Sequence, residues 1–67
     1  MNLYINSKLN NVPDEIDNVA RLLQYLHIPE NGTGVSLNGK LIKAKDRNIT
    51  YLKDEDSLLI ISATFGG

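Results

Sequence analysis

Asp17-Asn18-Val19-Ala20-Arg21-Leu22-Leu23-Gln24-Tyr25-Leu26 is the stretch whose reading decides the fold. Val19, Leu22, Leu23 and Leu26 recur at i, i+3, i+4 and i+7, so on a 3.6-residue period they line one side, while Arg21, Gln24 and His27 take the other. The spacing predicts an amphipathic helix between Pro13 and Pro29 with one buried stripe. Asp17 or Asn18 supplies the N-cap oxygen and Pro29 blocks continuation; neither cap candidate has Glu or Gln three places on to complete a capping box. A helix with one apolar stripe needs one sheet to lie on, which makes a two-layer α+β domain the economical arrangement. Leu22, Leu23 and Leu26 belong to the core on this reading, and Leu26→Ala is expected to cost about 2 to 5 kcal/mol.

Outward from the helix, both flanks read as hairpins. Leu3, Tyr4 and Ile5, then Leu9 and Val12, are apolar and β-prone around a polar Asn6-Ser7-Lys8 break. On the other side Val35-Ser36-Leu37 is separated from Lys40-Leu41-Ile42 by Asn38-Gly39, a pair suited to a type I′ turn because both central residues need positive φ. Lys43 to Asn48 reads as an irregular or short helical connection, Ile49 to Leu52 as a brief pairing segment, and Asp54-Glu55-Asp56 as an acidic turn. Leu58-Leu59-Ile60-Ile61 is apolar on both parities, which predicts a central strand covered on one face and partly on the other. If it lies beside the first strand, the result is a small mixed sheet on one helix in ββαββ order, a ubiquitin-like β-grasp. Residues 1–62 are assigned to that domain and 63–67 to a flexible tail.

Composition narrows the function. With 67 residues, 42% apolar and 22% charged, the sequence is that of one ordinary globular domain, too short to wall a deep cleft of its own. Seven Lys and Arg against eight Asp and Glu, with no basic cluster, disfavour nucleic acid as a partner. The absence of cysteine removes disulfides, thiolate nucleophiles and Cys-based metal sites together. Neither a charged-then-apolar leader nor a membrane-length apolar run is present, so a cytoplasmic location and no membrane partner are expected.

The sharpest chemical feature is Gly66-Gly67 after a strongly predicted strand. A carboxylate there is unshielded by any Cβ. Extended at about 3.4 Å per residue, Ala63 to Gly67 reaches on the order of 17 Å, enough to enter a narrow channel in a partner. An α-carboxylate, anionic near neutrality, can attack an activated phosphate.

In this setting the sequence resembles the ThiS family, the sulfur carrier proteins of thiamine biosynthesis, over essentially its whole length. The resemblance is carried by Val19-Ala20-x-Leu22-Leu23-x-x-Leu26, by Val35-x-Leu37-Asn38-Gly39-Lys40-x-Ile42, by Leu52-Lys53-Asp54-x-Asp56, and by Ile60-Ile61-x-Ala63-Thr64-x-Gly66-Gly67. It implies a protein co-substrate rather than an enzyme. A ThiF-type adenylyltransferase would use ATP and Mg²⁺ to adenylate the Gly67 carboxylate. A cysteine desulfurase or sulfurtransferase would supply sulfur, and thiazole synthase (ThiG) would consume the resulting thiocarboxylate. Gly66 would keep the approach narrow, Thr64 and Phe65 would meet the channel mouth, and the chain itself would hold no cofactor, metal or catalytic group. Departures fall where the family often has Pro-Arg and this sequence has Lys43-Ala44, where it frequently has Trp and this sequence has Arg47, and where its turn glycine is Glu55. The last predicts a slightly different turn.

The remaining features carry blander readings. His27 sits on the polar side near the helix end, facing exposed carbonyls, and a lone imidazole lacks the second group most mechanisms require. Asp54, Glu55 and Asp56 lack the ligand spacing of a calcium loop and read as a solvated turn. The sequons at Asn31 and Asn48 are chance matches without a leader. Tyr4, Leu59, Tyr51 and Phe65 are candidates for a docking patch on whichever sheet face the helix leaves uncovered. Two further functions fit the same pattern: the small subunit of molybdopterin synthase, or another β-grasp sulfur carrier, and a β-grasp binding module that is never activated at its C-terminus.

Overall fold

The computed structural model describes residues 1–63. Strand β1 (Asn2–Ile5) turns through Asn6 and Ser7 into β2 (Lys8–Asn11). Both turn residues have positive φ, 50° and 70°, the twist that lets a two-residue turn match antiparallel strands. Lys8, expected in the break, is therefore the first residue of β2, since two residues suffice to reverse the chain. The second hairpin, β3 (Gly34–Leu37) and β4 (Lys40–Ile42), closes through Asn38 at φ 50° and Gly39 at φ 85°, as Asn-Gly predicts.

Helix α1 spans Val19–Tyr25, with Asn18 rather than Asp17 as its cap. The Asn18 Oδ1 accepts the Arg21 amide N–H at 2.8 Å, and Asp17 instead pairs with the Arg21 guanidinium at 3.0 Å one turn along. The C-terminus departs from the sequence expectation. His27 adopts φ 59°, its N–H bonds the Gln24 carbonyl at 3.0 Å, and the Ile28 N–H reaches back to the Leu23 carbonyl at 2.9 Å. This is a Schellman closure with histidine in the place glycine favours. It stops the helix before Pro29 is reached and folds Ile28 into the core, while Leu26, assigned to the core from its spacing, is half-buried and packs at its edge. His27 is exposed and serves the backbone reversal rather than the helix face.

The connection forms a 3₁₀ helix (Ala44–Ile49) packed beside α1. The pairing expected from Ile49 to Leu52 is a single antiparallel bridge, Asn18 to Tyr51, framed by Val19 N–H to Thr50 carbonyl and Leu52 N–H to Asp17 carbonyl bonds. Strand β5 (Ser57–Ile61) completes a five-stranded sheet of order β2-β1-β5-β3-β4. β5 is central, parallel to β1 and antiparallel to β3. Leu3, Ile5, Val35, Leu58 and Ile60 point from one face onto Val19, Leu22 and Leu23 of the helix. This is the ubiquitin-like β-grasp arrangement.

Urea unfolding checks two expectations. Leu23→Ala should lose about 2 to 5 kcal/mol and Leu26→Ala only about 1 to 2, because the edge position collapses more easily. His27→Gly and Glu55→Gly, each relieving a side chain at φ 59° or 69°, should each gain about 0.5 to 1 kcal/mol, the left-handed penalty less the extra freedom of an unfolded glycine.

Candidate functional site

Gly67, Gly66, Phe65 and Thr64, the positions to which the sequence assigns the chemistry, lie outside the described residues. What the structure does establish is how the strand leading to them is held. At its start, the buried Asp56 carboxylate, only 3% exposed, accepts the Asn38 side-chain N–H at 2.9 Å on one oxygen and the Lys53 amide N–H at 2.9 Å on the other. The Lys53 ammonium stands 3.6 Å away, and the Asn38 Oδ1 accepts the Ser57 N–H at 2.9 Å. The Asp54 carboxylate accepts the Asn2 N–H at 2.7 Å, while the Glu55 N–H donates to the Asn2 carbonyl at 2.6 Å. The acidic turn expected to be merely solvated is thus a junction tying the second hairpin and β1 to β5, because its short side chains are positioned to receive backbone donors that no strand supplies. Glu55 keeps φ 69°, the left-handed conformation a glycine favours, so its presence does not change that feature of the turn.

At the other end of β5, β1 has already turned away. The Asn6 side chain takes the vacant place: its Oδ1 accepts the Ile60 N–H at 2.7 Å and its Nδ2 donates to the Ile60 carbonyl at 3.0 Å. β3 continues alongside as far as the Gly34–Ile61 pair.

The sheet face opposite the helix is open among the described residues. β5 alternates strictly there, with Leu58 and Ile60 covered and Leu59 and Ile61 exposed at 51% and 61%. The sequence expectation of partial cover on this second face is not met, because the single helix lies wholly on the other. Leu59 faces Ser36, which faces Leu41; Tyr4, 40% exposed, faces Leu9 on one side and Ser57 on the other. Tyr4, Leu9, Leu41, Leu59 and Ile61 therefore share one surface, an apolar patch of the kind that marks interaction sites. Tyr51 does not belong to it: at 66% exposed it lies beside the helix start, where its bridge to Asn18 places it in the other layer. Leu9, Ile61 and Leu41 were missed from sequence, although the two-residue turns fix Leu9 opposite Tyr4 and Leu41 opposite Ser36, and Ile61 shares parity with Leu59.

Arg47 is 6% exposed, and its guanidinium donates to the Glu30 carbonyl at 2.9 Å and to the Thr33 carbonyl, gripping both ends of the exposed Asn31-Gly32 turn. It lines a cleft of about 360 Å³ with Ala20, Ala44 and Lys45. Among the described residues no group of three or more His, Asp or Glu is placed to hold a metal ion, and no helix is long and apolar enough to cross a membrane.

No family profile and no curated protein matches the chain. Solved structures do. The crystal structure of a thiamine biosynthesis protein (ThiS) from Geobacter metallireducens is 30% identical, covers all of both chains and superimposes with a TM-score of 0.82. The solution structure of a thiamine biosynthesis protein from the same organism, also 30% identical, covers all of this chain and 88% of its own with a TM-score of 0.80.

The Asp56 junction makes a stability prediction. Asp56→Ala leaves the Asn38 amide and the Lys53 N–H without their acceptor, and should lower unfolding free energy by about 1 to 3 kcal/mol. Leu59→Ser on the open face should stay within about 0.5 kcal/mol of wild type. Equal losses for the two in urea titrations would contradict the assignment of faces.

Proposed function

The chain belongs to the ThiS family of thiamine biosynthesis proteins, and on that premise we propose that it is a sulfur carrier whose C-terminal carboxylate is the reacting group. The observation that carries the reading is the combination of full-length likeness to ThiS with Gly66-Gly67 following the central strand. A carboxylate is a poor acyl electrophile, so a partner enzyme must activate it. In the proposed cycle an oxygen of the Gly67 carboxylate attacks the α-phosphorus of ATP, held with Mg²⁺ by a ThiF-type adenylyltransferase. The bond to the β-phosphate breaks, pyrophosphate leaves and an acyl-adenylate remains.

Sulfur then replaces AMP. The terminal sulfur of a persulfide, supplied by a cysteine desulfurase or sulfurtransferase, attacks the acyl carbon and expels AMP. A second thiol cleaves the resulting disulfide, leaving the thiocarboxylate and a new disulfide on the donor side. Thiazole synthase consumes that sulfur, and the carboxylate is restored. Gly66 and Gly67 keep the thread narrow enough for the partner's channel, with Thr64 and Phe65 at its mouth. The body is a handle, docking through the exposed sheet face of Tyr4, Leu9, Leu59 and Ile61. No catalytic group is required of the chain, which acts as co-substrate in the cytoplasm.

Three measurements test this. Incubation with a ThiF-type enzyme, ATP and a sulfide source should shift the intact mass by the oxygen-to-sulfur difference, located at Gly67 by fragmentation. Deleting Gly66 and Gly67 should abolish that shift while leaving the urea midpoint within error of wild type. A binding module without activation would instead show no mass change and keep its partner after the deletion. Leu59→Glu should raise KM for adenylation at least tenfold, since it buries a charge in the interface.

A further inference from the structure

We infer that Asn6 is a positioning residue for activation of the C-terminus, its side-chain amide clamping the open edge of β5 ahead of the terminal segment. This rests on the carrier reading above. β1 pairs with β5 only at Tyr4–Ser57 and Ile5–Leu58. The Asn6 N–H still reaches the Leu58 carbonyl at 2.9 Å, and then the chain reverses through Asn6 and Ser7. Ile60, fully buried, presents its N–H and carbonyl to the side where no strand remains.

The Asn6 amide meets both, at 2.7 and 3.0 Å, and so adds one further rung to the ladder made of side chain instead of backbone. The position makes two demands of one residue. It must tolerate φ 50° in the turn, and it must offer a donor and an acceptor in one plane, as a peptide does. Asparagine meets both at the right length. Glycine satisfies the first demand alone, and glutamine is a methylene longer and less tolerant of left-handed backbone.

With Asn6 on one flank and β3 on the other through Gly34–Ile61, β5 is held on both sides up to its last residues. The segment that follows therefore starts from a strand held on both flanks. Without the Asn6 amide, β5 beyond Leu58 would be held on the β3 side alone. The end of the strand, clamped on one edge instead of two, would then have to be ordered at each encounter. Docking through the rest of the sheet face would be untouched. The expected signature is a fall in kcat with KM preserved.

The test uses the full chain with a ThiF-type adenylyltransferase, ATP and Mg²⁺, following pyrophosphate release at a temperature where every variant is folded. Asn6→Gly keeps the turn and removes the amide. It should lower kcat three- to tenfold, hold KM within twofold, and speed exchange of the Ile60 amide at least tenfold while Leu22 and Leu23 exchange as in wild type. Asn6→Asp, which keeps the acceptor and loses the donor, should fall between. Ser7→Gly, altering the same turn without touching the clamp, should match wild type in both constants. The proposal is overturned by a wild-type kcat for Asn6→Gly. It is overturned equally if the loss appears in KM or is accompanied by faster exchange throughout the helix, since the role is then merely structural. Failure of the wild-type chain to be activated by a partner that activates other ThiS proteins would refute the carrier reading itself.

Discussion

The structure depends on the placement of one apolar strand in the middle of its sheet. β5 pairs with β1 on one side and β3 on the other, and its Leu58 and Ile60 side chains lie at the centre of the core. A small domain hides a modest share of its surface, so this strand has to bring the two hairpins and the helix into one layer pair at once. The pairing with β1 is parallel, and parallel strands need a long crossover between them. Here that crossover is everything from β2 to the acidic turn, including the helix that covers the shared face.

Such a strand is short of neighbours at both ends, and side chains complete what the backbone leaves open. Asp56 and Asn38 receive and donate at its start, and Asn6 at its finish. Buried backbone groups left unpaired are costly, which explains why short amides and carboxylates stand at these positions instead of apolar residues. The consequence is a body whose last strand is secured on both flanks up to Ile60 and Ile61. A single helix also covers only one face of the sheet, so Tyr4, Leu9, Leu59 and Ile61 are available to a partner.

The departures from the family pattern are local substitutions that the fold accommodates. Glu55 occupies a left-handed position without a glycine's freedom. Arg47 turns inward to hold the carbonyls of Glu30 and Thr33, with its Nε lacking a partner among the described residues. The buried guanidinium is held by carbonyl dipoles rather than by a carboxylate. Both sites lie away from the open face of the sheet.

Sequence alone determined the element order, the helix stripe, the Asn-Gly hairpin and the central last strand, because each rests on periodicity or turn chemistry confined to a few neighbouring residues. It also singled out Gly66-Gly67, a motif legible without any fold. Tertiary structure decided the rest. Leu26 yielded its core place to Ile28 because of a backbone reversal at His27. Tyr51 parted from Tyr4 and Leu59 because layer membership depends on strand order and on a bridge to Asn18. Asp56 and Asn6 became structural because their partners lie 18 and 54 residues away, and no local pattern encodes which distant donor a polar side chain will meet.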